Sequence, residues 1–186
     1  MNAPLNNNIN FVLFQQQHMQ SSTMNWQEPF LQGKVLLIDK PLQWTSFDAV
    51  KKITRWAKSK GLLKKIEVLT FVDGNTSIEW MTKAGARVMN LLTKGSLNHL
   101  THQLKKTPAQ HFAEIAAVIA KAKKKGIECN VYLEDWSNGM RNSPEYVFQY
   151  LDFITKQPVK RIMLPDTLGI LEPNEVKHFL QMIIAR

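Results

Sequence analysis

Four runs of mostly apolar residues, at 66–72, 87–92, 127–133 and 162–164, each give way to a polar turn. Each turn leads into a stretch where apolar residues return every third or fourth position. Short unbroken apolar runs predict strands, and the longer stretches with helical period predict amphipathic helices. Strand, loop and helix repeated every ~20–40 residues mark a parallel α/β protein, whose working loops sit at the strand C-terminal ends. The run at 66–72 is apolar almost throughout, which predicts a strand covered on both faces.

Local punctuation sets the helices. Thr45 and Ser46 can cap a helix with Asp48 in its first turn. Val50, Ile53, Trp56 and Ala57 share one of its faces, Lys51, Lys52 and Arg55 the other, and Gly61 stops it. Thr76 or Ser77 caps a second helix, closed by Gly85. Thr107-Pro108 opens a third with proline at its first position, the favoured place for it. That helix buries Phe112, Ile115, Ala116 and Ile119 and ends at Gly126. Ser143-Pro144-Glu145 opens a fourth, with Tyr146, Val147, Tyr150, Leu151 and Ile154 inward, and 174–185 forms the last. Residues 93–107 and 134–141 read as polar connections. Upstream, Val35-Leu36-Leu37-Ile38 is a further β-rich run ended by Asp39-Lys40-Pro41. Residues 1–29, with runs of Asn and Gln and then Ser-Ser-Thr, have the composition of a disordered leader.

At 186 residues, 44% hydrophobic and 21% charged, the chain suits one globular domain. No run approaches the ~18 apolar residues of a membrane span, and the N-terminus lacks the pattern of a secretory signal, so no membrane partner and a cytoplasmic location are expected. A lone Cys129 in a buried strand excludes an intrachain disulfide framework and a multi-cysteine metal site. The formal net charge of +9 raises the question of nucleic acid. Lys58 and Lys60 precede Gly61, and Lys121, Lys123, Lys124 and Lys125 precede Gly126. Cations in a last helical turn complement the helix dipole and fall on the sheet end opposite the strand C-termini. That placement argues against nucleic acid: solvated helix ends are the expected reading of these lysines, ahead of a phosphate-binding patch.

Asn130, Tyr132 and Glu134 are spaced by two and point to one side of their strand, while Val131 and Leu133 point to the other. An acidic group on a face that would line a barrel is either functional or half of an ion pair; Glu134 fits either role. Asp135 points away and suits capping of the next loop. His99 follows a strand end as a ligand, a substrate contact or a solvated side chain. His102, three residues on, could share its helical face, but no third metal ligand accompanies the pair. Asp166 is a ligand-facing or loop-fixing carboxylate. The chain has no Gly-x-Gly-x-x-Gly, no phosphate loop, no Gly-x-Ser-x-Gly and no His-x-x-x-His, so nothing supports a nicotinamide, kinase, serine-hydrolase or zinc-helix reading.

Four segments carry a resemblance: Leu69-Thr70-Phe71-Val72-Asp73-Gly74-Asn75, Ser96-Leu97-Asn98-His99 with Gln103-Leu104-Lys105-Lys106-Thr107, Tyr132-Leu133-Glu134-Asp135-Trp136-Ser137-Asn138, and Leu164-Pro165-Asp166-Thr167-Leu168-Gly169. In this order they resemble strands three to six of the catalytic barrel of the 2-isopropylmalate, citramalate and homocitrate synthase family, and are nearest in wording to the citramalate branch. The resemblance implies an acyltransferase of branched-chain amino-acid biosynthesis, which condenses acetyl-CoA with a 2-keto acid and hydrolyses the thioester. It implies that Leu69, Leu92 and Tyr132 shape the keto-acid pocket. Glu134 would position or assist proton transfer, with Tyr132 as its catalytic companion. Thr167 would bind the keto-acid carboxylate, and His99 joins the substrate-binding set.

Intact members of that family use a divalent metal, Mg²⁺ or Mn²⁺. This sequence lacks an Arg-Asp-Gly motif and a His-x-His pair, so none is expected to bind here and the chain alone is expected to be inactive or nearly so. Residues 30–48 are similar instead to the opening of bacterial tRNA pseudouridine synthases, through Gly33-Lys34-Val35-Leu36-Leu37-Ile38-Asp39-Lys40-Pro41 and Trp44-Thr45-Ser46-Phe47-Asp48. That family's Gly-Thr-Leu-Asp-Pro motif is absent, so tRNA binding is not expected. The expected organisation is a leader at 1–29, the pseudouridine-synthase-like fragment at 30–48 and a partial synthase-type barrel at 49–186, the product of truncation and fusion. Its fold class is α/β: half of a TIM-type barrel with about four parallel strands and flanking helices. Such a half barrel leaves its inner face and sheet edges open, which predicts self-association through that face. An RNA-binding remnant and a noncatalytic interaction protein are the competing readings.

Overall fold

The computed structural model describes residues 42–186 together with two short strands, β1 (Asn10–Val12) and β2 (Leu37–Asp39). The chain divides into two compact units, residues 1–52 and 53–186. In the first, β1 and β2 pair antiparallel, with Phe11 opposite Ile38. The expected leader lies outside the described residues except for β1. Helix α1 (Ser46–Ser59) starts from a reciprocal cap, in which the Asp48 carboxylate accepts the Thr45 amide at 2.9 Å and the Thr45 hydroxyl accepts the Asp48 amide at 3.2 Å.

The second unit is built on a parallel sheet of β3 (Glu67–Phe71), β4 (Val88–Lys94), β5 (Glu128–Glu134) and β6 (Arg161–Met163), adjacent in chain order. Helices α2 (Thr76–Ala84), α3 (Pro108–Lys124), α4 (Trp136–Asn142), α5 (Pro144–Ile154) and α6 (Pro173–Ile184) follow the strands. The four-stranded parallel sheet and its flanking helices are the expected half-barrel architecture. Thr107 and Gln110 cap α3 reciprocally, with Pro108 at its first position. Gly126 closes the turn after α3 at φ +65°, as its place behind the lysines predicts.

Side-chain alternation sorts the strands into two faces. Thr70, Met89, Leu91, Thr93, Cys129, Val131 and Leu133 are buried on the helical face with Ile78, Met81, Ile115, Ile119 and Ile154. Burial alone pushes the Cys129 thiol up to about 12, as for an inert core cysteine. Phe112 stacks on Phe153 at 4.8 Å and meets Tyr150 edge-on, and the Tyr150 hydroxyl pairs with that of Thr93 at 2.7 Å. The opposite parity forms the other face. On it, Leu69 and Phe71 are 54% and 51% exposed. This corrects the expectation of a strand covered on both faces: the apolar run at 66–72 reports apolar residues at both parities, but only one parity has a layer of helices over it.

Two elements depart from the sequence reading. Residues 134–141, expected as a loop, fall largely within α4 (Trp136–Asn142), a two-turn helix begun by Asp135 at φ +65°. Its Ser, Asn and Gly residues are weak helix formers, so tertiary packing supplies what propensity does not. The expected connection at 93–107 begins only after β4 ends at Lys94, and its centre, His99–Gln103, winds as a single π-helical turn.

The buried His111 on α3 supports the end of β4. Its Nε2 accepts the Lys94 amide at 3.3 Å, so the ring stays neutral, and burial pushes its pKa down to about 4. Glu114 opposes this shift, whereas Lys106 and Lys94 add to it. The folded pKa lies below the unfolded one, so the unfolded state binds the proton first. Stability is therefore full above about pH 6.5 and falls as pH drops through about 4, by up to about 3 kcal/mol. Urea melts along this range should show that slope, and His111→Gln should flatten it relative to the wild type. Equal slopes in the two proteins would remove His111 as the cause.

Candidate functional site

The parity of the open face brings Leu69, Leu92, Tyr132 and Glu134 onto one face of the sheet, because Leu69 is in register with Asn90, Leu92 with Tyr132 and Lys94 with Glu134. Toward the strand N-termini this surface closes with a polar ladder. The Asn130 amide donates to Asn90 Oδ1 at 2.9 Å, its Oδ1 accepts Arg161 Nε at 3.2 Å, and Arg161 pairs with Glu67. Above the ladder lies an apolar and aromatic belt of Leu69, Phe71, Leu92 and Tyr132. At the strand C-termini stands an ion pair between Lys94 and Glu134, both mostly buried. Lys94 is held firmly: its amide bonds His111, and its carbonyl accepts the Tyr146 hydroxyl at 2.8 Å. It engages Oε2 of Glu134, while Oε1 takes no hydrogen bond among the described residues.

The loops above the sheet are tied by one carboxylate. Asp135, 1% exposed, accepts the Ser96 hydroxyl at 2.7 Å and the Asn138 amide at 2.8 Å, and His99 Nε2 lies 3.4 Å away. The Asp135 amide in turn donates to Thr167 Oγ1 at 2.9 Å, so the loops after β4, β5 and β6 meet at one residue. Next to it, the Ser137 hydroxyl and the Leu171 amide donate to Asp166, whose carboxyl these bonds hold below the usual range. Asp166 is thus loop-fixing here. A cleft of about 560 Å³ opens beside this knot, lined by Ser96, Asn98, His102, Asn138, Asn142 and Ser143.

Of the six residues singled out in the sequence, four share this face of the sheet, and Thr167 and His99 sit in the rim around Asp135. No three His, Cys, Asp or Glu side chains among the described residues converge on a point where an ion could be held.

An HMGL-like family model matches residues 41–186. The chain belongs to the HMGL-like family. As an HMGL-like chain it is 24% identical over 138 residues to a probable 2-isopropylmalate synthase of Ignicoccus hospitalis, a match covering 74% of this chain and 33% of the relative. A tRNA pseudouridine synthase B of Flavobacterium johnsoniae is 52% identical over 42 residues, 22% of this chain and 18% of the relative. Both resemblances read from the motifs therefore stand. The fold is that of a hydroxymethylglutaryl-CoA lyase from Pseudomonas aeruginosa, with a TM-score of 0.56 at 12% identity over 71% of this chain and 48% of the lyase. The HMGL-like chain thus spans about a third of the synthase and half of the lyase. No helix among its described residues is long and apolar enough to cross a membrane.

Lys94 escaped the sequence reading, since a lysine ending an apolar strand looks like the first residue of a solvated loop. The two-residue alternation Asn90, Leu92, Lys94, parallel to Asn130, Tyr132, Glu134, was the signal that could have found it. Ser96 was seen only as part of a motif. Its role needs Asp135, 39 residues away, which no local pattern supplies.

Proposed function

We infer that this chain carries the keto-acid side of an acyltransferase site of the 2-isopropylmalate and citramalate synthase type, acting on acetyl-CoA and a 2-keto acid. The observation that carries this reading is the placement of Glu134, steadied by Lys94, above the Leu69, Leu92 and Tyr132 belt. The keto acid lies against that belt with its carboxylate toward the Thr167 rim and His99. Glu134 Oε1, the free oxygen of the pair, assists removal of a proton from the acetyl methyl. The resulting carbon adds to the keto carbon, the keto oxygen takes up a proton, and water then cleaves the thioester to release CoA. Lys94 holds Oε2 of Glu134, which leaves Oε1 to face the substrate. Turnover by the chain alone stays near background, because the Arg-Asp-Gly and His-x-His motifs are absent from its sequence. The same reading assigns residues 30–48 to a pseudouridine-synthase-derived segment joined to a synthase-type region at 49–186, located in the cytoplasm, with self-association through the uncovered sheet face.

Pyruvate added to isotopically labelled protein is expected to shift the backbone amides of Leu69, Leu92 and Tyr132, while those of Glu67 and Glu128 stay still. Thr167→Val should weaken that response about tenfold, the loss of about one contact to the keto-acid carboxylate, whereas Glu134→Gln, which acts on the acetyl methyl, should leave it in place. Unmoved amides at saturating pyruvate would defeat the reading. CoA release from acetyl-CoA with pyruvate and Mg²⁺ or Mn²⁺ should stay at background; robust release that Glu134→Gln abolishes would keep the chemistry and overturn the inactivity.

A further inference from the structure

The basic charge of this chain is concentrated on one edge of the sheet. In a parallel sheet every strand begins at the same end, so the stretches that lead into β3, β4, β5 and β6 lie side by side. Lys58, Lys60, Lys64 and Lys65 precede β3, and Lys83 and Arg87 flank the entry to β4. Lys121 and Lys123 to Lys125 precede β5, and Lys156 and Lys160 precede β6. Residues 58–67, 83–87, 121–128 and 156–161 hold thirteen of the 24 Lys and Arg but two of the 15 Asp and Glu, so this edge carries +11 and the rest of the chain −2. All of these cations except Lys121 are exposed, and among the described ion pairs only Arg161–Glu67 uses one of them.

Helix dipoles do not account for this excess. Each helix C-terminus carries roughly half a negative charge, so the four helices ending here offset about −2 in all. An excess several times larger, repeated in all four loops, is an electrostatic footprint for a polyanion. Its dimensions fit a phosphodiester backbone: four strands at ~4.8 Å spacing make an edge ~15 Å long, which matches about four phosphates of one strand at ~3.4 Å of axis each. An anionic bilayer fits less well. Among the described residues the large exposed apolar side chains, Leu42, Leu69, Phe71, Trp80, Leu168, Val176 and Ile184, lie outside these four stretches, so the stretches themselves offer no fully exposed large apolar group to insert among lipid chains.

We propose that the strand-N-terminal edge, remote from the candidate catalytic face, binds the phosphate backbone of nucleic acid without reading its sequence. The test is fluorescence anisotropy of the full chain with a labelled RNA hairpin, a DNA duplex and a single strand across a salt series, alongside sedimentation with phosphatidylserine vesicles. Neutralising about four phosphates predicts that affinity falls about 150-fold between ~50 and ~200 mM salt, equally for unrelated sequences. Exchanging one cation per loop, Lys64→Gln, Lys83→Gln, Lys124→Gln and Lys160→Gln together, should abolish most of that slope. An equal reduction of charge through Lys52→Gln, Arg55→Gln, Lys105→Gln and Lys177→Gln should leave it largely intact. No binding at low salt, equal losses from the two sets, or binding to vesicles without binding to nucleic acid would each overturn the proposal.

Discussion

Gly139→Ala is expected to lower the melting temperature by about 10 °C or to prevent folding, although alanine is ordinarily the better helix former by ~1 kcal/mol. Gly139 lies in α4, and a Cβ built there would stand 2.1 Å from the Gly95 carbonyl oxygen and 2.8 Å from Val147 Cγ2. The obstructing atom is backbone, and that backbone has no room to retreat. The Gly95 amide donates to Glu134 O at 2.7 Å, and a Cβ on Gly95 itself would meet Leu133 O at 2.8 Å. Overpacking usually costs ~1–3 kcal/mol and more where nothing can give, so about 3–5 kcal/mol is expected here. Gly61→Ala serves as the comparison. It has open space around it, and its φ of +69° alone costs about 1 kcal/mol. Thermal melts followed by circular dichroism decide the matter. If Gly139→Ala melts with the wild type, α4 does not pack against the end of β4 in solution as described.

The sheet was readable because each strand leaves a local trace. Ile127, Cys129, Val131 and Leu133 form one apolar parity, and Pro and Gly bracket the helices around it. The Thr107-Pro108 start and the glycine stops after the lysines were recoverable for the same reason, since a cap is a property of four or five consecutive residues. What burial does to those parities was less visible. Whether Leu69 and Phe71 lie under a neighbouring layer depends on elements far away in the chain, and an apolar run carries no record of that.

The candidate site divides along the same line. Tyr132 and Glu134 were placed on one side by counting in twos, and register with β4 brought Leu92 beside Tyr132. Short-range reading failed where a polar residue's partner lies on another strand. Asn130 is completely buried yet satisfied by Asn90 and Arg161, and Ser96 closes on Asp135. Such pairs are spaced by the length of a βα unit, so sequence alone exposes a costly polar group without revealing what compensates it. α4 was missed for a related reason: Gly139 and Asn138 look like turn residues, but one is there for close approach to β4 and the other to bond Asp135.

Asp135→Ala is the second substitution with a large expected cost, about 3–5 kcal/mol. The carboxylate is almost fully buried and serves Ser96 and Asn138 at hydrogen-bond distance, with His99 at 3.4 Å. Removing it leaves the buried Ser96 hydroxyl and the half-buried Asn138 amide without an acceptor, at ~1–3 kcal/mol for the first and less for the second. It also asks alanine to hold φ +65°, a left-handed conformation that Asp and Asn tolerate better. Asp135→Asn separates the contributions. It keeps the backbone preference and one acceptor oxygen but loses the charge and one acceptor, so it should cost about half as much. The loss should be local before it is global. Hydrogen exchange should rise first at Leu97, His99 and Leu100 in the π-helical loop, whose amides are anchored through Ser143, Ser96 Oγ and the Ser96 carbonyl. Protection unchanged at these amides in Asp135→Ala would mean that the loop after β4 is held by its own turn, and that Asp135 does not join the three rim loops into one unit.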